Sequence, residues 1–239
     1  MKLAGKTALV TGGTDGIGKA LALGLKDKGA HVIVVGRDAG RIAEVSAQGF
    51  DAMAADLATP EGVDALARAL GGREIDILVN NAGAGANYDV SAPVDLDEVD
   101  RCIFLNLNAP IHLATRLLPA LRARPEAMIV NVTSGLAIAP RADSPVYCAT
   151  KAGLRSFTMA LRGQLAGSNV RVLEVLPPVV ETRMTATNRH RKMPAGECAR
   201  QIVRAIEADR DEANVGATRL LRWAYSVSPA LARRIMLRY

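Results

Sequence analysis

Tyr147 and Lys151 stand four residues apart in the stretch Tyr147-Cys148-Ala149-Thr150-Lys151. On a helix that spacing places both side chains on one face. A phenol is a poor acid near neutrality, with an unperturbed pKa of about 10. A cation about 4 Å from a phenolate is worth up to roughly 4 kcal/mol at an effective dielectric near 20, enough to lower the phenol pKa by up to roughly 3 units. The expectation is a tyrosine that Lys151 acidifies, able to exchange protons with a substrate oxygen. Alone, the spacing is a weak signal that more often marks a surface pair on an ordinary helix, so the rest of the chain must supply the context.

A second stretch with chemical potential is Thr11-Gly12-Gly13-Thr14-Asp15-Gly16-Ile17-Gly18. It follows the apolar run Thr7 to Val10 and opens a helical pattern that Gly29 ends. Strand, glycine-rich turn and helix together form the context of a dinucleotide fingerprint. Residues without Cβ let a pyrophosphate approach the amides of a helix N-terminus, where the dipole favours anions.

The elements that must position these groups read as a βα alternation. Apolar runs occur at His31–Val35, Phe50–Ala55, Ile75–Val79, Met128–Val132 and Val170–Leu176. Helical patterns lie between them, at Ala39–Gln48, after Pro60, over Asp95–Arg122, and at about Ser144–Leu165 with Pro145 in the first turn. Continuous apolar strands separated by helices predict an α/β fold: a single-domain, Rossmann-type, doubly wound parallel sheet with helices on both faces. The domain is expected over 1–212, followed by a basic amphipathic tail over 213–239.

Composition agrees. The 239 residues are 49% hydrophobic and 23% charged, which is globular rather than disordered. Cys102, Cys148 and Cys198 are too scattered for a disulfide ladder or a metal site. No signal-peptide pattern opens the chain and no apolar run approaches a membrane span, so a reducing, cytoplasmic setting is expected. Five of the six net positive charges fall after Asn214, on Arg219, Arg222, Arg233, Arg234 and Arg238, with no acidic residue among them. The basic balance describes that segment and does not make the domain a nucleic-acid binder.

The glycine motif, Asp56, Asn80-Asn81-Ala82-Gly83, Ser134, and Tyr147 with Lys151 agree in order and spacing. Together they resemble the classical short-chain dehydrogenase/reductase family over roughly residues 5 to 208. The likeness is greatest to bacterial members related to an oxidoreductase of a D-alanine-esterification cluster. The resemblance implies interconversion of a carbonyl and a secondary alcohol with a nicotinamide cofactor. It implies that Tyr147 is the general acid/base, that Lys151 lowers its pKa and binds the nicotinamide ribose, that Ser134 holds the substrate oxygen, and that Asn106 anchors a proton-relay water. Asn106 also fits a cap or a helix-kinking core amide, and Asn80-Asn81 a strand end. By the same resemblance Gly12, Thr14, Gly16, Ile17 and Gly18 line the pyrophosphate. Asp56 and Leu57 meet the adenine, Asn81, Ala82 and Gly83 the adenosine ribose, and Pro177, Val180 and Thr182 the nicotinamide carboxamide. Pro178 stands where the family usually has glycine and would narrow the space there.

NAD-preferring relatives place an acid at the end of the second strand. Here that slot aligns with Gly36, and Arg37 beside it suits a 2′-phosphate. NADP(H) is therefore favoured, with NAD(H) remaining open because Asp38 would fill the acid's role in a register two residues off, and because Asp15 adds negative charge nearby. Leu136 to Pro140, Val146, Val179, Met184 and Met193 suggest an apolar substrate pocket. The stretch 183–194 resembles a lid, whose Arg189, His190, Arg191 and Lys192 fit a solvated surface or an anion clamp. The tail fits a helical extension packed on its own subunit, an oligomer interface, or a peripheral membrane anchor. A homodimer or homotetramer is expected. A catalytically silent nucleotide-binding scaffold is the alternative, and the intact Ser134, Tyr147, Lys151 and Asn106 set argues against it.

Overall fold

The apolar runs become strands because each can bury both of its faces. In a computed structural model that describes residues 1–86, 88–187 and 191–238, alternate residues of one strand enter different cores. Ala8 and Val10 of β1 (Thr7–Thr11) pack on one side of the sheet with Leu21 and Leu25, whereas Leu9 packs on the other with Val63 and Leu113. The same division runs through β2 (His31–Gly36), β4 (Ile77–Asn80) and β5 (Ala127–Val132). With β3 (Asp51–Ala54), β6 (Val170–Leu176) and β7 (Glu212–Asn214) they form one parallel sheet in the order β3-β2-β1-β4-β5-β6-β7. The order reverses direction between β1 and β4, which opens a crevice at the strands' C-terminal ends.

Helices α1 (Gly16–Asp27), α2 (Ala39–Ala47) and α3 (Pro60–Leu70) follow the first three strands. Asp15, Asp38 and Thr59 cap them with side-chain oxygens, satisfying backbone N–H groups that a helix start leaves unpaired. Helix α6 (Pro145–Gln164) has Pro145 in its first turn, as expected.

Three segments differ from the sequence expectation. The fourth strand starts at Ile77 rather than Ile75 because buried Asp76 accepts from the Thr7 N–H (2.8 Å) and Arg124 Nε (2.9 Å). The single helix expected over Asp95–Arg122 is α4 (Leu96–Ile103) and α5 (Ala109–Arg122), joined by a π-helical turn at Phe104–Asn108. Pro110 lacks the N–H that would bond the carbonyl of Asn106 in an α-helix, and Ala109 N–H reaches back to Phe104 instead.

The third difference lies near the C-terminus. Helix α7 (Ala195–Glu207) leads into β7, so the sheet continues through the point where the tail was expected to begin. Beyond it, α8 (Thr218–Val227) and α9 (Pro229–Arg238) are connected through Ser228. No described helix is long and apolar enough to cross a membrane.

Candidate active site

The turn between β1 and α1 closes tightly. A Cβ on Gly18 would lie 2.2 Å from the Gly12 carbonyl oxygen, so α1 can begin against that turn only with glycine there. Asn81 fastens the turn to the end of β4: its Nδ2 donates to the carbonyls of Thr11 (2.9 Å) and Gly12 (3.3 Å). The N–H groups of Asn81 and Ala82 in turn donate to Thr11 Oγ1. The expected strand-ending role of this motif is thus visible in its own bonds. Asn80 does the same one strand along, donating to Asn131 at 2.8 Å.

Ser134 follows β5 and caps a short 3-10 turn over Gly135–Ala137, its Oγ accepting from the Leu136 N–H at 3.1 Å. Tyr147 stands in the first turns of α6 with its ring exposed only in part. Lys151, one turn on, is buried. Its Nζ donates to the Val132 carbonyl at 2.9 Å and lies 5.7 Å from the Tyr147 ring centre. Asn106, fully buried, clasps the loop after β4: its Oδ1 accepts from Ala84 N–H (2.9 Å), and its Nδ2 donates to the Ala84 carbonyl (2.8 Å) and to Thr150 Oγ1 (3.1 Å).

The electrostatics differ from expectation. Burial pushes the Tyr147 phenol up to about 12, with the Ser134 hydrogen bond working against it. Burial likewise pushes the Lys151 ammonium down to about 8. The acidification of Tyr147 by Lys151 expected from spacing is therefore absent here. The ammonium is turned to a backbone carbonyl, and loss of water disfavours both charges more than their proximity helps. At neutral pH the phenol keeps its proton and the amine remains mostly protonated.

The candidate catalytic and cofactor-binding residues named from sequence, Asn106 excepted, line one cleft of about 1990 Å³, from Gly12, Thr14, Gly16, Ile17 and Gly18, past Arg37, Asp56, Leu57, Asn81, Ala82 and Gly83, to Ser134, Tyr147, Lys151, Pro177, Val180 and Thr182. Asn106 stands behind it, against Gly83 and Ala84. Asp56 bonds Arg101 Nη2 (2.8 Å) and the Ala58 N–H (3.1 Å). Burial works to raise its carboxyl, and these two bonds outweigh it and hold the group below its ordinary value.

At the end of β2 a Cβ on Gly36 would lie 2.6 Å from Thr14 Cγ2, so no acidic side chain fits there. Asp38, the alternative acid, caps α2 through the Arg41 N–H (2.9 Å) and pairs with the Arg41 guanidinium (3.4 Å). Arg41 also pairs with Asp15 at 3.4 Å, which offsets the negative charge expected beside the cofactor site. Its Nε is buried without a hydrogen-bond partner among the described residues. Arg41 was missed from sequence: it lies in the first turn of α2, whereas Arg37 precedes the Asp38 cap, so no shared helix face marks the two.

The substrate end also departs from expectation. Leu136, Val179 and Met184 line the cleft, whereas Val146 and Met193 do not. Met193 instead pairs its backbone with Val179 (2.9 Å) and Glu181 (2.8 Å), closing the base of the lid. Ile138 and Pro140 face a separate recess of about 560 Å³ with Tyr225 and Leu237. The apolar wall comes from the tail: Leu220, Leu221, Ala224, Ile235 and Met236. Buried Thr218 seats α8 beside Gly135, directly after Ser134. Within the lid, Arg183 lies 3.8 Å from Asp15. Arg191 and Lys192 are described, while Arg189 and His190 lie outside the described residues.

Beneath the site runs an ionic chain, buried at its Glu174 end and exposed at Arg222, that sequence reasoning did not find. Thr133 Oγ1 donates to Glu174 (2.8 Å), Arg155 bridges Glu174 (2.8 Å) and Glu212 (3.1 Å), and Arg222 of α8 reaches Glu212 (3.4 Å). Burial raises the Glu174 carboxyl above its ordinary value, opposed by Arg155 and Thr133. Among the described residues no cluster of His, Cys, Asp or Glu could hold a metal ion.

This architecture is that of a nicotinamide-dependent oxidoreductase, and the family comparison agrees. The short chain dehydrogenase family model matches residues 6–193, and the chain belongs to that family of NAD(P)-dependent oxidoreductases. It is 41% identical over 203 residues to a Bacillus subtilis protein named uncharacterized oxidoreductase DltE, covering 80% of this chain and 78% of that one. A Burkholderia cenocepacia short chain dehydrogenase in complex with NADP superposes with a TM-score of 0.89 at 26% identity, covering 99% of both chains. The 3-ketoacyl-(acyl-carrier-protein) reductase of Brucella melitensis complexed with NADH superposes with a TM-score of 0.80 at 30% identity, covering 88% of this chain and 96% of that one.

Proposed function

We propose that this chain interconverts an apolar ketone and its secondary alcohol, with NADP(H) preferred over NAD(H). The observation behind the reading is the opening of the Ser134 and Tyr147 side chains, with Lys151 behind them, into the same cleft as the glycine turn.

The residues present fit a phosphorylated dinucleotide. Arg37 is exposed at the cleft wall, the Arg41 Nε donor is unpartnered, and Gly36 is closed to an acidic side chain. Arg37 and Arg41 would hold the 2′-phosphate, Gly12, Thr14, Gly16, Ile17 and Gly18 the pyrophosphate, and Asp56, Leu57, Asn81, Ala82 and Gly83 the adenosine. Lys151 would bond the nicotinamide ribose, and Pro177, Val180 and Thr182 would flank the ring. When bound, the cofactor supplies or accepts the hydride. The Burkholderia relative with NADP supports the preference, and the Brucella relative with NADH shows the same fold serving the other cofactor.

Ser134 Oγ accepts from the Leu136 N–H and donates its hydrogen to the Tyr147 oxygen; a substrate oxygen placed between the two would take over that donor. Tyr147 then gives that oxygen its proton, and two donors meeting there stabilise negative charge as it develops. Burial keeps the phenol neutral, which is the form carbonyl reduction requires. Lys151 replenishes the proton from the protein side, and the Asn106 carbonyl, left without its α-helical partner by Pro110, anchors the water that relays it. The apolar wall from the tail selects a hydrophobic substrate. The working unit is a cytoplasmic homodimer or homotetramer, with residues 1–212 binding cofactor and 213–239 covering substrate; light scattering checks the assembly.

A panel of hydrophobic ketones followed by nicotinamide fluorescence tests the reading. Tyr147→Phe should cut turnover by about 10²–10⁴-fold while leaving NADPH affinity within about twofold, since no lost contact holds the phosphates. Arg37→Glu should shift preference toward NADH. Tighter binding of NADH than NADPH by the unaltered protein would overturn the cofactor assignment.

A further inference from the structure

The helices α8 and α9 leave an apolar stripe uncovered. Leu220, Trp223 and Val227 recur at helical spacing on α8, and Leu231 and Ile235 on α9. All five are more than half exposed, Trp223 at 64% and Val227 at 68%. Exposed large apolar side chains gathered on one short segment mark an interaction surface. The same segment holds five arginines and no acidic residue. Arg222 has a carboxylate partner in Glu212, whereas Arg233, Arg234 and Arg238 meet none among the described residues.

We propose that the α8–α9 segment docks on an anionic lipid bilayer surface. Charge decides among the occupants an apolar stripe could take. A second copy placed symmetrically on this stripe would bring Arg233, Arg234 and Arg238 of both copies to one interface without carboxylates from the segment to pair them, and like charges across an interface oppose association. Nucleic acid would satisfy the arginines and leave the stripe in water. An anionic bilayer meets both, because leucine and tryptophan enter the headgroup boundary while arginine stems lie along it with their charges outward. Ten-residue helices are too short to span, so they lie in the surface plane.

Leu220 and Ile235 belong both to the stripe and to the cleft wall. Docking therefore turns the cleft mouth toward lipid, and an apolar carbonyl compound could pass from the bilayer to Ser134 and Tyr147 without crossing bulk water. This consequence rests on the function proposed above; the docking does not.

Trp223 is the chain's one tryptophan, so its fluorescence reports the segment alone. The full chain is mixed with phosphatidylcholine vesicles, with or without phosphatidylglycerol, and followed by sedimentation and Trp223 emission. The expected result is sedimentation and a blue shift that require phosphatidylglycerol and fade with added salt. Arg234→Glu with Arg238→Glu should weaken binding roughly 30-fold or more, at about one decade or less per arginine removed. Val227→Glu with Leu231→Glu should abolish the blue shift. Both pairs lie outside the cleft and should leave turnover on a soluble ketone unchanged. A blue shift that follows protein concentration without lipid would show a second copy covering the stripe and overturn the proposal. Equal sedimentation with both vesicle types, or none with either, would overturn it as well.

Discussion

Lys151 and Arg155 stand one turn apart on α6, and both carry charge into the region behind β5 and β6. Arg155 is held by two carboxylates, Glu174 and Glu212. Among the described residues Lys151 has only the Val132 carbonyl, and burial drags its pKa down to about 8. A buried cation with full ionic partners is fixed in place, and removing it strands the partners. One without a counterion weakens the fold but stays available to a ligand or a proton. The same helix thus offers one cation to the proposed reaction at one turn and gives one to the scaffold at the next.

The contrast breaks if the two positions respond alike to the same substitution. Lys151→Met should lower turnover by about 10²–10⁴-fold, read from kcat on an accepted ketone, while its melting temperature stays at or above that of the unaltered chain. Arg155→Met should do the reverse. Stranding Glu174 in the core should cost about 3–5 kcal/mol in urea unfolding, and Glu174→Leu in the same chain should restore much of that loss.

Proton uptake sharpens the contrast at smaller amplitude. The Lys151 pKa is about 8 when folded against an ordinary 10.5. Between those values the unfolded chain binds more protons than the folded one, so this group makes stability rise with pH. Its penalty is full below about pH 8 and gone above about 10.5. The stability advantage of Lys151→Met over the unaltered chain should therefore shrink from pH 8 toward pH 10, measured as a difference so that other groups cancel. For Tyr147 the consequence is kinetic. With the phenol pushed up to about 12, alcohol oxidation, which needs the phenolate, should keep accelerating through pH 10, while ketone reduction should not gain over the same range.

The parallel sheet and the gathering of the proposed catalytic set in one cleft were legible because they rest on residue types at short spacings. Ser134, Tyr147 and Lys151 lie within eighteen positions of one another. The apolar strands advertise burial on two faces without help from distant parts of the chain. What stayed hidden depends on contacts between remote segments. Glu174 reads as one polar interruption in an apolar run until Arg155 and Glu212 arrive from a helix and an edge strand. Spacing put Lys151 on the same face as Tyr147 but said nothing of the Val132 carbonyl, so the direction of the tyrosine's shift came out reversed. The tail's amphipathic pattern was plain, yet its place over Ser134 depends on Thr218 packing beside Gly135. The π turn at Asn106 was written in Pro110, a signal weaker than the helical periodicity around it.

The close fit between Thr14 and Gly36 restricts the order in which this lineage can change its cofactor. An aspartate at position 36 would place its Cβ 2.6 Å from Thr14 Cγ2, so the substitution that commonly confers NAD preference is harmful as a first step. Shrinking Thr14 to glycine would have to precede it, because Thr14 Oγ1, which a serine would keep, also lies 2.9 Å from that Cβ. The two positions therefore form an epistatic pair, and directed evolution toward NAD should reach a glutamate at Arg37 sooner than an acid at Gly36.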